Sequence, residues 1–374
     1  MLYVIDSLFP GGAETSLAAM AEHFESVDID LHVAHLLDVP GLHERFRAAG
    51  AHLHHIEAGR SGRVPELRRL IGALDADIVH TTLFEADQVG RIAGWLSRRP
   101  VISSFVSTGF ELGEPWSLSG VKARAAVVVD AVTVRAAGRL HAVSRPVAEF
   151  MAKRLLVPID DFTVIPRGRD PRELGMPSAE RRGRVRERLG LGDRPIILVV
   201  GRHAGPKGHL TLLEALPSLT ARFPDVAVVF AGHAGPTTEE LEHGVSALGV
   251  ERNVIQLGHR SDAADLLAAA DVLAHPSLRE GFPGTLVEAL ALECPIVASD
   301  LPTIRAVVEC DGQLLADLTP VGDARALADA LADVLANGPD QHRTGRGRAH
   351  FEQRFTTATV TREFRRMYDD AIDS

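Results

Sequence analysis

Two successive series of strand-like and helix-like segments limit how this chain can fold more than any other feature. The first series alternates short apolar runs with amphipathic stretches from Leu2 to Ile165, and the second begins at Pro195. Because strand–helix–strand connections are right-handed and build parallel sheets that helices cover on both faces, each series predicts one doubly wound α/β domain. The strands of the first series are predicted at Leu2–Asp6, Leu31–Leu36, Ala51–His55, Asp77–His80, Val101–Phe105, Arg139–Val143 and Phe162–Ile165.

An arginine-rich segment separates the two series. Pro166–Arg194 contains nine arginines and few apolar side chains before Leu189, so we interpret it as a linker and the first helix of the second domain. The predicted domains are residues 1–170 and 171–354. The simplest role for the arginines is a solvated surface, with a binding role as the alternative. Open α/β sheets bind ligands at the carboxyl ends of their strands, which predicts a site in a cleft between the two domains.

The composition is that of a globular protein and excludes several classes of function. Hydrophobic residues make up 45% of the 374 residues, and the formal net charge of -10 argues against a bulk nucleic-acid binder. The two cysteines, Cys294 and Cys310, are too few for a disulfide framework and favour a reducing, cytoplasmic setting. We expect neither a signal peptide nor a membrane-spanning segment, because the most apolar run, Ala125–Val134, is short and contains Asp130.

A loop bounded by two glycines follows the first strand of the second series. It runs from Gly201 to Gly208, carries Arg202 and Lys207, and leads into a helix. Backbone amides at the start of a helix, together with two cations, suit a phosphate or a diphosphate. The loop lacks the glycine spacing of a Walker loop and of a dinucleotide fingerprint. The loop alone leaves open the alternative that these are ordinary surface cations.

Two glutamates occur in the stretch EGFPGTLVE, which follows a later strand of the second series. Glu280 precedes a predicted helix at Gly284–Leu292, and Glu288 falls in its second turn. Both carboxylates can lie near the helix start, where they are suited to accept hydrogen bonds from sugar hydroxyls. Taken singly, Glu280 as a helix cap and Glu288 as a surface residue are the alternatives.

Together these motifs resemble the retaining glycosyltransferases of family four, which have the GT-B fold. The resembling stretches are GRHAGPKGHLTLLEA (Gly201–Ala215), EGFPGTLVEALA (Glu280–Ala291), PGGAETSL (Pro10–Leu17) and VIPRGRD (Val164–Asp170). The resemblance covers nearly the whole chain. It implies two Rossmann-like domains that face each other across a cleft. It also implies that residues 355–374, with an apolar stripe of Phe355, Phe364 and Met367, return to the first domain.

The resemblance implies an enzyme that moves a sugar, of the hexosyl type, from a nucleoside-diphosphate sugar to an acceptor hydroxyl with retained anomeric configuration. Arg202 and Lys207 would contact the diphosphate, Glu288 the ribose and Glu280 the donor sugar, so Arg202, Lys207 and Glu280 are the candidate catalytic residues. The other implied donor-binding residues are Gly12, His259, Arg260, Gly281, Phe282, Pro283, Gly284 and Thr285.

Two positions depart from the family pattern. Ser107 or Thr108 stands where many members have a histidine near the donor sugar, and Arg167 stands where asparagine is usual. Ser107 and Thr108 are candidates for the acceptor side. His80 is a third candidate, with satisfied packing as its alternative. The acceptor, whether a glycan, a lipid-linked sugar or a small molecule, and the base of the donor stay open.

A lipid-linked acceptor would bring the first domain to the inner face of a membrane. Lys122, Arg124 and Arg135 flank the apolar stretch at Ala125–Val134, which we interpret as a buried helix. No membrane partner follows from that interpretation alone.

No metal or other cofactor is expected, because Arg202 and Lys207 can balance the charge of a departing diphosphate. The Asp-x-Asp patterns at Asp28–Asp30 and Asp75–Asp77 fall at the starts of strands, away from the expected site. No group of His, Cys and Asp residues has metal-ligand spacing in the sequence. A sugar-nucleotide 2-epimerase of the same fold and an inactive nucleotide-sugar binder are the alternative functions.

Overall fold

The computed structural model describes residues 1–107 and 121–374, which form two compact units. The first unit comprises Met1–Asp170 and Phe355–Ser374, and the second comprises Pro171–Arg354. These limits coincide with the domain limits expected from the sequence. The first unit is therefore built from two separate stretches of chain, whereas the second is continuous.

The first unit contains a parallel sheet of seven strands, in the order β3-β2-β1-β4-β5-β6-β7. Its strands are β1 (Leu2–Ile5), β2 (His32–His35), β3 (His52–His55), β4 (Val79–Thr82), β5 (Val101–Phe105), β6 (Arg139–Ala142) and β7 (Phe162–Val164). Its helices are α1 (Gly12–Phe24), α2 (His43–Ala48), α3 (Arg63–Leu74), α4 (Phe84–Leu96), α5 (Val121–Thr133), α6 (Arg145–Leu155) and α16 (Thr357–Ile372). The strand order reverses between β1 and β4, as in doubly wound folds that bind ligands at such a switch point.

The C-terminal helix α16 completes the core of the first unit, as expected. The hydroxyl of Thr356 caps it by accepting a hydrogen bond from the N–H of Thr359 at 3.2 Å. Its buried side chains pack in one cluster with strands β1 and β2 and with helix α1; they are Val360, Phe364, Met367, Tyr368 and Ala371. The apolar stripe therefore lies against the sheet, and polar residues cover the outer face of the helix.

His80 is an interior residue, so its assignment to the acceptor side is wrong. Its side chain is fully buried in β4, where Nδ1 lies 2.7 Å from the Tyr368 hydroxyl and Nε2 lies 2.6 Å from Ser104 Oγ. His141 Nδ1 lies 2.7 Å from the same Ser104 oxygen. Burial, and then the neighbouring His141, hold the pKa of His80 well below its usual value. The chain of hydrogen bonds ties α16 to three central strands.

Helix α5 is not buried, contrary to the expectation from its apolar sequence. Val128 and Val132 are 61% and 64% exposed, and Val129 is also exposed. Arg124 and Arg135 are exposed near the two ends of this apolar stripe. Within the described residues, no helix is long and apolar enough to span a membrane. The stripe is therefore a surface feature of the first unit.

The second unit contains a parallel sheet of six strands, in the order β10-β9-β8-β11-β12-β15, and a small antiparallel pair, β13-β14. Its strands are β8 (Ile196–Val200), β9 (Ala227–Ala231), β10 (Val254–Gln256), β11 (Val272–His275), β12 (Ile296–Ser299), β13 (Glu309–Cys310), β14 (Gln313–Leu314) and β15 (Asp317–Thr319). Its helices are α7 (Pro171–Leu174), α8 (Ala179–Arg188), α9 (His209–Arg222), α10 (Thr238–Leu248), α11 (Ala263–Ala269), α12 (Gly284–Ala291), α13 (Pro302–Val308), α14 (Ala324–Asn337) and α15 (Gln341–Arg354). The strand order reverses between β8 and β11, so the loops after these two strands share the switch point.

Candidate functional site

Two loops of the second unit meet at the carboxyl ends of the adjacent parallel strands β8 and β11. The N–H of Leu278 donates a hydrogen bond to the carbonyl of Pro206 at 2.8 Å. Gly208 has a φ of +65°, and a Cβ at this position would lie 1.9 Å from the carbonyl oxygen of Pro276. Only glycine allows this close approach, which explains why Gly208 ends the loop that carries Lys207.

The two loops bring Lys207 and Glu280 into direct contact. Glu280 Oε1 accepts hydrogen bonds from Lys207 Nζ at 2.6 Å and from Ser277 Oγ at 2.8 Å. His275 Nε2 lies 3.0 Å from the same oxygen and must carry a proton to donate to it. The side chain of Glu280 is 7% exposed. Three protein donors thus fix this carboxylate at the switch point of the sheet.

The surroundings of Glu280 keep it ionised. Burial by itself raises the pKa of this carboxyl group, but the hydrogen bonds and charges of His275 and Lys207 outweigh burial and hold the pKa well below its usual range. Within the described residues, Oε2 accepts no hydrogen bond, and it is not sealed from solvent. Glu280 can therefore accept a hydrogen bond from a ligand through Oε2, and it is unsuited to act as an acid at neutral pH.

The second glutamate follows on helix α12. Pro283 caps the helix, Gly284 begins it, and Glu288 lies half-buried in its second turn. Gly281 is half-buried and the Phe282 side chain is buried beside the turn. Thr285 lies half-buried in the first turn of the helix. The helix begins at the predicted residue, Gly284, and ends at Ala291, one residue before the predicted end.

Further candidates lie at the ends of strands β8 to β10. Arg202 is exposed directly after β8. The exposed rings of His233, after β9, and His259, after β10, stack in parallel with their centroids 3.9 Å apart and 9° between their planes. The guanidinium of Arg260 forms two hydrogen bonds with Asp262, at 2.7 and 2.6 Å. The Arg260 side chain is thus held within its own loop, and His233 and His259 together provide an exposed aromatic surface.

In the first unit, Gly12 begins helix α1 and lies against Arg167. A Cβ on residue 12 would lie 2.5 Å from Arg167 Nη1, so a side chain here would displace the guanidinium. Arg167, which stands where asparagine is usual in the family, therefore lies beside the start of α1. Ser107 is exposed just after β5, and Thr108 lies outside the described residues.

Sequence analysis missed His275 and Ser277 as site residues. Both belong to the stretch DVLAHPS, at and just after the carboxyl end of β11, and both contact Glu280 Oε1. Their positions at the carboxyl end of a strand could have identified these two polar side chains as site residues, because the sheet topology places that strand end at the switch point. Their contribution depends on the turn geometry that brings residue 280 back towards residue 275.

Within residues 1–107 and 121–374, two groups of histidine and aspartate have ligand atoms close enough to share a metal ion, and both lie in the first unit. One is Asp30, His32 and His52, and the other is His35, Asp38 and His43. The sequence analysis identified no group with metal-ligand spacing. The first group forms through the pairing of the parallel strands β2 and β3, and the second lies between the end of β2 and the start of α2. Neither group includes Glu280 or Glu288.

Comparisons with known proteins agree over both units. The family description "Glycosyl transferase 4-like domain" matches residues 11–168, and "Glycosyl transferases group 1" matches residues 182–350. The GDP-mannose-dependent alpha-(1-6)-phosphatidylinositol monomannoside mannosyltransferase of Mycolicibacterium smegmatis is 32% identical over 72% of this chain and 70% of its own length. The phosphatidyl-myo-inositol mannosyltransferase of Mycobacterium leprae is 35% identical over 48% of this chain and 47% of its own length.

The chain thus spans about half the length of several curated relatives that it matches. Among solved structures, Anabaena Alr3699/HepE in complex with UDP has a TM-score of 0.83 at 22% identity and covers 99% of each chain. That likeness shows the fold, which is GT-B. From the relative that matches over most of both lengths, and from the two family descriptions, it follows that this chain belongs to the glycosyltransferases of family four.

Proposed function

We propose that this protein transfers a sugar from a nucleoside-diphosphate sugar to an acceptor hydroxyl, with retention of the anomeric configuration and without a metal ion. The contact of Lys207 with Glu280 at the switch point carries the proposal. Lys207 uses one N–H for Glu280 Oε1, and an ammonium group has two more donors for a diphosphate. Glu280 Oε2 is suited to a hydroxyl of the donor sugar. Arg202 would supply a second cation at the same strand end.

We propose a nucleoside-diphosphate sugar as the donor, because the names of two similar proteins mention a nucleoside diphosphate or its sugar derivative. One is GDP-mannose-dependent by name, and the other is described in complex with UDP. The exposed His233–His259 stack offers an aromatic surface for a base, which supports the position of His259 in the donor site. Glu288, on helix α12, is proposed to accept hydrogen bonds from the ribose hydroxyls.

The proposed chemistry is a front-face substitution at the anomeric carbon. The bond between that carbon and the diphosphate oxygen breaks, and a bond to the acceptor oxygen forms on the same face. The departing phosphate takes the proton of the acceptor hydroxyl. A covalent double displacement would need a carboxylate nucleophile about 5 Å from a second carboxyl group. Glu280 is fixed by three donors through Oε1 and assigned to a sugar hydroxyl, which favours the front-face route.

Metal independence is proposed because Lys207 and Arg202 can stabilise the negative charge that develops on the leaving diphosphate. Transfer by the purified protein is expected to continue unchanged in excess EDTA. The measurement is product formation from a radiolabelled donor with and without chelator. A loss of activity that magnesium or manganese restores would contradict the proposal.

The two glutamates are expected to act on different parts of the donor. Glu288→Gln should weaken binding of the nucleoside diphosphate itself by about 10–100-fold, because hydrogen bonds to a charged group contribute about 1.5–3 kcal/mol. Glu280→Gln should lower kcat and leave that affinity nearly unchanged, since its partner is the sugar. Calorimetric titration with the nucleoside diphosphate and a turnover assay separate the two effects. Equal losses of nucleotide affinity in both variants would refute this division.

A lipid acceptor is proposed from the names of the relatives and from the surface of α5. Two of the relatives are named for phosphatidylinositol acceptors. The exposed valines of α5, with Arg124 and Arg135 near its ends, combine apolar and cationic contacts suited to the surface of an anionic bilayer. We therefore propose that the protein works in the cytoplasm, at the inner face of the membrane.

This membrane contact is tested with the double variant Val128→Ser, Val132→Ser. Its partitioning onto vesicles that contain anionic lipid should fall by about 10-fold, because two half-exposed valines lose roughly 1–2 kcal/mol of burial. Co-sedimentation with such vesicles gives the measurement. Leu248→Ser, at an exposed apolar position of α10 in the second unit, is the matched control and should bind like the unmodified protein. Equal binding of both variants would rule out this surface.

One assay separates transfer from the alternative functions. The protein is incubated with GDP- and UDP-sugars, with and without phosphatidylinositol acceptors, and the products are resolved. Transfer to an acceptor supports the proposal. Epimerised sugar nucleotide would indicate a 2-epimerase, and binding without turnover would indicate an inactive binder.

A further inference from the structure

A cluster of histidines and one aspartate lies at the amino ends of strands β2 and β3, the last two strands at one edge of the first sheet. The register of the parallel strands pairs His32 directly with His52. His32 Nε2 lies 3.2 Å from Asp30 Oδ2, and His52 Nε2 lies 3.8 Å from Asp30 Oδ1. The ligand atoms of these three residues all lie within 4.8 Å of one another.

A fourth side chain fixes the orientation of the cluster. His32 Nδ1 lies 3.0 Å from His54 Nε2, on the same face of the sheet. In the tautomer of His32 that carries its proton on Nδ1, this nitrogen donates to His54 Nε2, and the lone pair of His32 Nε2 faces Asp30. Ligating histidines in metal sites are held in the same way.

The surroundings of the cluster favour a cation. An adjoining cavity of about 270 Å³ is lined by His32 and by five aspartates, Asp28, Asp30, Asp75, Asp77 and Asp369, among other residues. Two cationic groups also line this cavity. They are Arg365, whose guanidinium bonds to Asp369 at 2.8 Å, and the amino group of Met1, which donates to the Asp30 carbonyl at 2.9 Å. The aspartates therefore outnumber the cationic groups of the lining.

We propose that Asp30, His32 and His52 bind a divalent transition-metal ion, for which zinc is the best fit. Imidazole and carboxylate ligands bind zinc at about 2.0–2.2 Å, so neighbouring ligand atoms around a tetrahedral ion are about 3.3–3.5 Å apart. The two distances to the oxygens of Asp30 lie on either side of this value, and small side-chain rotations suffice to close the site. Water would complete the coordination.

When the metal ion binds, it takes the place of a proton on the ligating nitrogen. Without an ion, His32 Nε2–H can donate to Asp30. In the zinc form, His32 carries its proton on Nδ1 and gives the Nε2 lone pair to the metal, as His52 does through its own Nε2. Any proton on these two nitrogens is released to water or moves to the other ring nitrogen, and neither residue is oxidised or reduced.

The metal would tie the edge of the sheet together and take no part in sugar transfer. Asp30, His32 and His52 lie at the amino ends of the strands, whereas Gly12 and Ser107 follow the carboxyl ends of β1 and β5. Coordination joins β3 to β2 and to the turn that precedes β2. This inference does not depend on the proposed function, and its test needs no donor or acceptor.

The test is metal binding by tag-free, full-length protein that has been stripped with chelator and dialysed. Zinc chloride is titrated by calorimetry, and cobalt(II) chloride is added separately to follow the visible absorption of a low-coordinate ion. His52→Ala and Asp30→Asn are the informative variants. The two side chains are 63% and 72% exposed, so these changes remove little packing. Circular dichroism verifies that each variant is folded.

Two histidines provide matched controls. His43→Ala alters the other His–Asp group of the same unit, and His243→Ala alters an exposed histidine on α10. The expected result is one equivalent of zinc that both controls keep. His52→Ala and Asp30→Asn should bind it at least 10–100-fold more weakly, the range typical of losing only an outer-shell partner.

Three results would overturn the assignment. The first is the absence of saturable zinc binding by the unmodified protein. The second is binding of equal strength in His52→Ala, and the third is loss of the ion in His43→Ala with retention in His52→Ala. A visible cobalt(II) band that disappears with His52→Ala would support the assignment.

Discussion

Replacing Lys207 by alanine is expected to lower kcat by about 10²–10³-fold, the usual cost of losing one preorganised donor. Under the proposed mechanism, the negative charge of the leaving diphosphate develops mainly in the transition state. An ammonium group that acts there changes kcat, whereas one that only binds the donor raises KM. The measurement is turnover at saturating donor, together with the anomeric configuration of the product by NMR.

The contact between Lys207 and Glu280 makes a double-variant test informative. Lys207→Ala leaves the buried carboxylate of Glu280 with Ser277 and His275 as its hydrogen-bond partners among the described residues, so part of its effect passes through Glu280. The effects of Lys207→Ala and Glu280→Gln should therefore not add in the double variant. Lys153→Ala, at an exposed position of α6, is the control for a lost lysine. Near-normal turnover in Lys207→Ala, or an inverted product, would overturn the mechanism.

Arg91→Met is expected to destabilise the first unit by about 3–5 kcal/mol, because breaking a buried ion pair leaves charge without a partner. Arg91 is fully buried in α4. Its Nε donates to Ser103 Oγ at 2.7 Å, and its Nη1 donates to Asp130 at 2.5 Å. Nη2 lies 3.4 Å from a carboxylate oxygen of Asp87. The variant would leave both aspartates inside the unit without the guanidinium.

Urea unfolding followed by tryptophan fluorescence measures the change in stability of the first unit. Both tryptophans of the chain, Trp95 and Trp116, belong to the sequence of the first unit. Arg99→Met is the control, because Arg99 pairs with the highly exposed Asp75 and should cost less than about 1 kcal/mol. A similar loss of stability in both variants would show that the buried pairs contribute no more than a surface pair.

Much of the fold could be predicted because it depends on local patterns. Strand β5 at Val101–Phe105 has the predicted limits, and helix α12 at Gly284–Ala291 ends one residue before the predicted Leu292. Each is a run of apolar residues at strand or helix period, bounded by turn or capping residues. The exposure of α5 could not be predicted, since an apolar helix shows which side chains avoid water but not whether another element covers them.

The sequence pointed to Lys207 and Glu280, but not to the contact between them or to His275 and Ser277 beside them. Lys207 and Glu280 were expected near one ligand, each with its own part of the donor. Their contact at 2.6 Å depends on how the loops after β8 and β11 meet. The histidines of β2 and β3 likewise come together only through strand register. His80 was placed wrongly because a strand end shows that a side chain is near the sheet edge and not whether another helix buries it.

The two-part construction of the first unit has a consequence for how the protein is made. A nascent chain exposes Met1–Asp170 to the cell first, yet the core of that unit lacks Val360, Phe364 and Met367 until α16 has been synthesised. The second unit, continuous from Pro171 to Arg354, can close its core earlier. At about 5–20 residues per second, the apolar face that α16 covers stays open for roughly ten seconds or more. During translation, the N-terminal unit is therefore completed after the second unit, and its uncovered apolar face is exposed to water until then.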